Sequence, residues 1–144
     1  LYVRWMDTGQ TALLTNIQLA ASNLSWSPDG ESIAFTMSVE VDEKPFTVDM
    51  PAKPEGAQWS PAFEYVTRVR YQADGRGILE PAYTHIFIVP AQGGSARQLT
   101  SGNFQHSSSL SWTPDSKEIL FSANRSDNWE YETREANIYG VSLE

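Results

Sequence analysis

The sequence predicts an all-β fold, and three observations carry that prediction. Short runs of β-branched and aromatic residues recur along the chain, bounded by Gly, Pro, Asn and Asp. Helical spacing of apolar residues is nearly absent, and only the acid-rich stretch Trp129 to Ala136 has room for a turn or two of helix. One composite pattern, made of a strand, a tight turn and a second strand, occurs twice.

The first copy of that pattern is Leu24-Ser25-Trp26-Ser27-Pro28-Asp29-Gly30, followed by Ser32-Ile33-Ala34-Phe35-Thr36. The second is Leu110-Ser111-Trp112-Thr113-Pro114-Asp115-Ser116, followed by Glu118-Ile119-Leu120-Phe121-Ser122, with Trp112 placed 86 positions after Trp26. Pro28 and Pro114 fix φ for the first central position of a turn, Asp29 and Asp115 suit the next, and Gly30 accepts the left-handed conformation that closes it. Ser116 stands where the first copy has Gly30, so the same turn places strain on it. Trp26 and Trp112 end one strand with a large apolar group. Ile33 and Phe35 alternate with Ala34 and Thr36, which gives the next strand two different faces.

Two further elements repeat in step. Leu14-Thr15 precedes the first hairpin and Leu99-Thr100 the second. Before each runs an apolar strand that ends in a glycine turn, Leu1 to Gly9 and His85 to Gly94, and Ile138-Tyr139-Gly140-Val141 begins a third instance. Each unit thus has four antiparallel strands, the mark of a β-propeller blade of the TolB-like or WD40-like kind. The chain divides into the end of one blade (1–15), a blade with a long insertion at 39–82 (22–100) and the start of the next (109–144). The alternative to the insertion is a degenerate blade with Trp59-Ser60-Pro61 as its worn tip. The insertion is favoured, because no Leu-Thr strand precedes Trp59 and no Asp-Gly follows Pro61.

A closed propeller needs about four to eight blades. The chain is therefore expected to be a partial propeller whose natural N-terminus lies elsewhere. Its open sheet edges are expected to recruit partners, a second copy included, and a strictly monomeric sedimentation profile at high concentration would contradict this. Strand alternation places the turn at 28–30 on one side of the disc. The insertion 39–82, the loop 101–108 and the loop 124–136 then gather on the opposite side, where binding is expected.

Composition narrows the function. Lys and Arg number 10 against 18 Asp and Glu, a net charge of −8 spread along the chain, which argues against a nucleic-acid partner. The absence of cysteine excludes disulfide scaffolds, zinc fingers and thiol nucleophiles. The longest apolar run, Ile86 to Val89, is far shorter than the roughly 20 residues of a membrane span, so no membrane partner is expected. No cofactor is expected either, and the sequence leaves open a bacterial cytoplasm or periplasm.

Several segments together resemble the prolyl oligopeptidase family of serine peptidases, in particular its acylaminoacyl-peptidase and dipeptidyl-aminopeptidase relatives. They are Met50 to Gly56, Arg68-Val69-Arg70-Tyr71-Gln72-Ala73-Asp74-Gly75-Arg76-Gly77, Tyr83 to Pro90 with Gly93-Gly94 and Arg97-Gln98-Leu99-Thr100, and Asn124 to Tyr131. The resemblance implies a propeller that filters short peptides and covers the active site of a following α/β-hydrolase domain. That domain carries its nucleophile in a G-x-S-x-G elbow. No G-x-S-x-G occurs here, so no catalytic residue is assigned and this piece by itself is not expected to hydrolyse peptides. The expected partners are that hydrolase domain and a peptide substrate. The alternative is a non-catalytic TolB-like propeller that binds proteins.

His85, before the strand Ile86 to Val89, and His106, in a polar loop, sit in no elbow-like context, and neither has a second histidine near it in sequence; no metal site is assigned. Glu40, Asp42 and Glu43 read as a solvated hairpin. Arg68 and Arg70 share one face of a strand expected at Val66 to Tyr71, turned to solvent. Asp127, Glu130, Glu132 and Glu135 are interleaved with Trp129 and Tyr131. They form either an exposed connection whose aromatics cover a blade edge, or a site for a substrate N-terminus. On the second reading Trp129, Glu130, Tyr131 and Glu132 bind the substrate. The resemblance supports it, since aminopeptidases of this broad family use propeller-borne Glu residues for that purpose.

Overall fold

A computed structural model describes residues 1–17, 19–41, 51–60 and 66–143 of the chain. Among them the strands in order are β1 (Tyr2–Arg4), β2 (Thr11–Leu13), β3 (Ser22–Trp26), β4 (Ser32–Glu40), β5 (Gln72–Ala73) and β6 (Gly77–Ile78). There follow β7 (Ala82–Pro90), β8 (Arg97–Gln98), β9 (Ser111–Trp112), β10 (Glu118–Ala123) and β11 (Asn137–Ser142). All strand pairs are antiparallel and no helix occurs among the described residues.

The central sheet has the order β3-β4-β7-β8. β4 and β7 pair from Ser32↔Pro90 to Glu40↔Ala82, so residues 41–81 leave and re-enter the same end of one sheet. Within that excursion the described residues form only the short hairpin β5-β6. Asp42, Glu43 and Pro61 lie outside the described residues. A second sheet, β11-β10-β9, repeats the start of the pattern, and β1-β2 stands before the central sheet as its counterpart.

Both faces of the central sheet are covered, so residues 33–36 of β4 and 85–89 of β7 are buried without a break. On one face Ile33, Phe35, Phe87 and Val89 pack with Leu14, and the rings of Phe35 and Phe87 stack at 5.6 Å between centroids. On the other, Ala34 and Ile86 pack with Ile119, Phe121 and Ala123 of the next sheet, and Leu99 lies against them. Leu14 and Leu99 thus play the same part in successive layers. Burying each such aliphatic or aromatic side chain contributes about 1.5–3 kcal/mol, so these two clusters dominate the stability of the stack.

The Pro-Asp turns fold as their residues dictate. The Ser27 hydroxyl donates to the Asp29 carboxylate and the Thr113 hydroxyl to that of Asp115, and the Glu31 and Lys117 N–H groups add a second donor to each. These donors, the hydroxyl first, hold both carboxyls below their ordinary pKa. Gly30 takes φ 73° and Ser116 φ 60°, so the serine occupies the left-handed region expected of it. Its hydroxyl accepts the Asp29 N–H at 3.2 Å, which links the two turns across the layers. The Trp112 indole N–H likewise donates to the Ser25 carbonyl at 3.3 Å. Gly93, at φ 97°, comes so near Leu14 that a Cβ there would lie 3.0 Å from the Leu14 carbonyl oxygen.

Beyond β8, the free edge of β7 is closed by side chains. The Ile86 N–H donates to the Thr100 hydroxyl at 3.0 Å, the Thr84 N–H donates to Gln105 Oε1 at 3.0 Å, and Gln105 Nε2 donates to the Ala82 carbonyl at 3.0 Å. These bonds fix the loop 101–106 against the end of the sheet from which the insertion departs.

Two local expectations are corrected. Val66 to Tyr71 is not a strand: β4 and β7 already satisfy each other, and the Val69 N–H turns to the Glu130 carboxylate instead at 3.2 Å. Arg68 is accordingly half-buried, not turned to solvent, with its guanidinium 4.5 Å from the centre of the Tyr83 ring. Trp129 to Ala136 forms successive turns rather than helix, closed by the Tyr131 and Glu132 N–H groups on the Asn128 carbonyl and the Glu135 N–H on that of Glu132.

Candidate cleft at the loop-bearing end

Four segments converge at the end of the central sheet opposite the Pro-Asp turn at 28–30. β7 supplies Tyr83, the excursion between β4 and β7 supplies Thr67 and Arg68, the loop after β8 supplies Asn103 and Phe104, and the connection after β10 supplies residues 126–131. Together they line an open cleft of about 460 Å³. Its floor is aromatic. Tyr83 is buried, and Trp129 meets its ring edge-on at 6.3 Å. Behind it the Arg125 guanidinium lies 4.9 Å from the centre of the Tyr139 ring and 5.8 Å from that of Phe104. The faces of Tyr83 and Phe104 therefore already hold the protein's own cations, while Tyr131 is 76% exposed.

Of the residues singled out in the sequence as substrate contacts, Trp129, Glu130 and Tyr131 line the cleft. Glu130 bridges two of the converging segments through its bond from the Val69 N–H. Glu132 does not line it. Its carboxylate accepts the Ser126 hydroxyl at 3.2 Å and its carbonyl accepts Asn124 Nδ2 at 2.7 Å, so it braces the turn that carries the others. Asp127 stands in the lining in its place. Sequence reasoning missed Arg68, Tyr83 and Phe104. The signal for the last two was the strand alternation that brings these loop ends together; Arg68 gave none, because its segment reads as a strand.

The two histidines, 21 positions apart, are brought together beneath the cleft. His85 belongs to β7 itself, and its ring centroid lies 5.3 Å from that of His106. His106 lies in the loop after β8, as expected, but is fully buried, with its edge against Phe121 at 5.4 Å. Burial, ahead of the neighbouring positive charges, holds both imidazoles below their ordinary pKa. Among the described residues no three His, Asp or Glu side chains are grouped to hold a metal ion.

Residues 59–144, more than half of the chain, match the family described as the dipeptidyl peptidase IV (DPP IV) N-terminal region. The chain is also 34% identical over 124 residues to an uncharacterized peptidase, YuxL, of Bacillus subtilis (strain 168). That alignment takes in 86% of this chain but 18% of the relative, so the chain spans less than a fifth of the length of the curated protein it matches. The stacked antiparallel sheets, one of them four-stranded, the loop-bearing cleft and these matches agree: the chain is a partial β-propeller of the dipeptidyl peptidase IV N-terminal-region family, from the propeller portion of prolyl oligopeptidase-type peptidases.

Proposed function

We propose that this propeller segment serves as scaffold and substrate gate for a serine-type peptidase that acts on short peptides, and that the cleft meets the amino end of the substrate. One observation carries the reading: Glu130 stands in an open, aromatic-floored cleft with one carboxylate oxygen engaged by a backbone N–H. A peptide's α-ammonium group supplies what the rest of that carboxylate lacks, and charge-assisted hydrogen bonds of this kind are short and strong. Trp129 and Tyr131 offer aromatic faces to the same cation or to the first side chain behind it. Gathering of the loops at one end of a rigid sheet stack supports the gating role, since loops on such scaffolds carry binding.

The test belongs in the full-length peptidase. Loss of a hydrogen bond to a charged group costs about 1.5–3 kcal/mol, so Glu130→Gln is expected to raise KM for free-amino peptides about 10- to 100-fold. Nα-acetylated peptides should be unaffected. Glu132→Gln is expected to do less, because Glu132 does not line the cleft. An unchanged KM for free-amino peptides in both variants would sink the reading.

A further inference from the structure

We propose that His106 is an acid-releasable pin for the cleft: its neutral ring holds the loop 101–106 against β7, and a proton on Nε2 frees that loop together with Asn103 and Phe104. The consequence for peptide binding rests on the reading above; the pin itself rests on geometry alone.

His106 is joined to one acceptor twice. Its backbone N–H and its Nδ1 lie 2.9 Å and 3.0 Å from the Thr84 carbonyl oxygen. A carbonyl only accepts, so Nδ1 carries the ring proton and Nε2 presents its lone pair. That Nε2 is buried and has no hydrogen-bond partner, in a side chain with no exposed surface. An unpaired acceptor there is tolerable, but a second proton would create a buried cation whose new N–H points at no acceptor, a far costlier state.

The surroundings make the penalty larger. The charged and titratable groups that face the ring are His85 from β7, Arg125 from the connection after β10, and Tyr139 of β11 beyond Phe121. Arg125 brings positive charge to the ring, and His85, itself buried and held below its ordinary pKa, turns Nδ1 to the Thr100 hydroxyl rather than to His106. Tyr139 is neutral near pH 7. The Thr100 hydroxyl, 3.3 Å from His85 Nδ1, also accepts the Ile86 N–H, so the second histidine sits in the same seam that closes the edge of β7. The depressed pKa of both rings, due first to burial, agrees with this geometry.

The direction in pH follows. The closed loop keeps His106 neutral, whereas an opened loop lets it titrate near the ordinary value of about 6.5. Above that pH the two forms bind the same protons and nothing changes. Below it the open form takes up a proton that the closed form refuses, so opening grows by up to about tenfold per pH unit until the closed-form pKa is reached.

Hydrogen exchange of the 144-residue chain, corrected for intrinsic rates, measures this without any peptide, so its failure is separate from failure of the Glu130 test. Between pH 7.5 and pH 5.0 the amides of residues 103–106 are expected to lose protection at least tenfold. His106→Asn keeps an N–H donor near the Nδ1 position and cannot ionise, so protection there should become independent of pH. An equal acid loss in His106→Asn, or none in the unaltered chain, overturns the proposal. Should the variant fail to fold, ring ¹⁵N chemical shifts of the unaltered chain decide. They should show His106 protonated on Nδ1 alone at pH 7 and gaining its second proton in step with loop release; titration with the loop still protected overturns the pin.

Discussion

Ile86 and Ile138 occupy the same place in two successive sheets and have opposite fates. Phe35 pairs with Phe87 in the central sheet and Phe121 with Tyr139 in the next, so the repeat that equates Phe35 with Phe121 also equates Ile86 with Ile138. Ile86 is wholly buried and Ile138 is 80% exposed. The first faces Ile119 and Phe121 of a neighbouring sheet; the second faces nothing described. The indoles repeat the lesson at the other end of the stack, where Trp112 is half-buried on Ser25 and Trp26 is 51% exposed. Burial in this chain is thus a property of position in the stack rather than of the residue, as expected where each repeat contacts only its neighbours.

The largest expected effect tests that statement directly. Ile86→Ala removes buried methyl groups between two sheets and should cost about 2–5 kcal/mol in urea unfolding. Ile138→Ala, the same change at the equivalent place, should stay within about 0.5 kcal/mol. Equal costs at the two positions would mean that the sheets do not stack in this order. The indole pair should follow on a smaller scale. Trp112→Phe keeps most of the apolar body and loses the bond to the Ser25 carbonyl, about 0.5–1.5 kcal/mol, whereas Trp26→Phe should be nearly silent. Acrylamide should reach Trp26 and quench it while Trp112 stays protected.

How far the sequence disclosed this arrangement depended on the range of the interactions involved. Turn chemistry is local, so Pro28-Asp29-Gly30 and its partner at 114–116 announced both hairpins and even the left-handed Ser116. Period-two alternation is local as well, and it marked β4, while β7 stood out as the apolar run Ile86 to Val89 and β10 as the repeat of β4. The excursion after β4 defeated the same reasoning. Val66, Val69 and Tyr71 have strand-like composition, but composition cannot reveal that β4 and β7 close on each other or that the Val69 N–H is taken by the Glu130 carboxylate. The histidine pair was invisible for a related reason: its contact arises only when the loop after β8 folds back on Thr84. Glu130 and Glu132 were indistinguishable in sequence because which carboxylate enters the cleft depends on the turns at Asn128, not on spacing.

The smallest and most discriminating effect lies in the two turns. No atom lies within 4 Å of where a Cβ on Gly30 would sit, so the cost of Gly30→Ala is backbone strain alone, about 1–2 kcal/mol for a side chain held at φ 73°. Ser116 already bears that strain at φ 60°, and its hydroxyl gains the Asp29 N–H in return. Ser116→Ala keeps the strain and loses the bond, so it should cost about 0.5–1.5 kcal/mol. Ser116→Gly relieves the strain but loses the same bond and adds about 0.4–1 kcal/mol of unfolded-chain freedom, which leaves the smallest net change of the three. The order Gly30→Ala, Ser116→Ala, Ser116→Gly in urea midpoints would establish that the second turn trades conformational ease for a tie to the first. A stabilising Ser116→Gly would show instead that the cross-turn bond contributes nothing and that the serine there is strain without return.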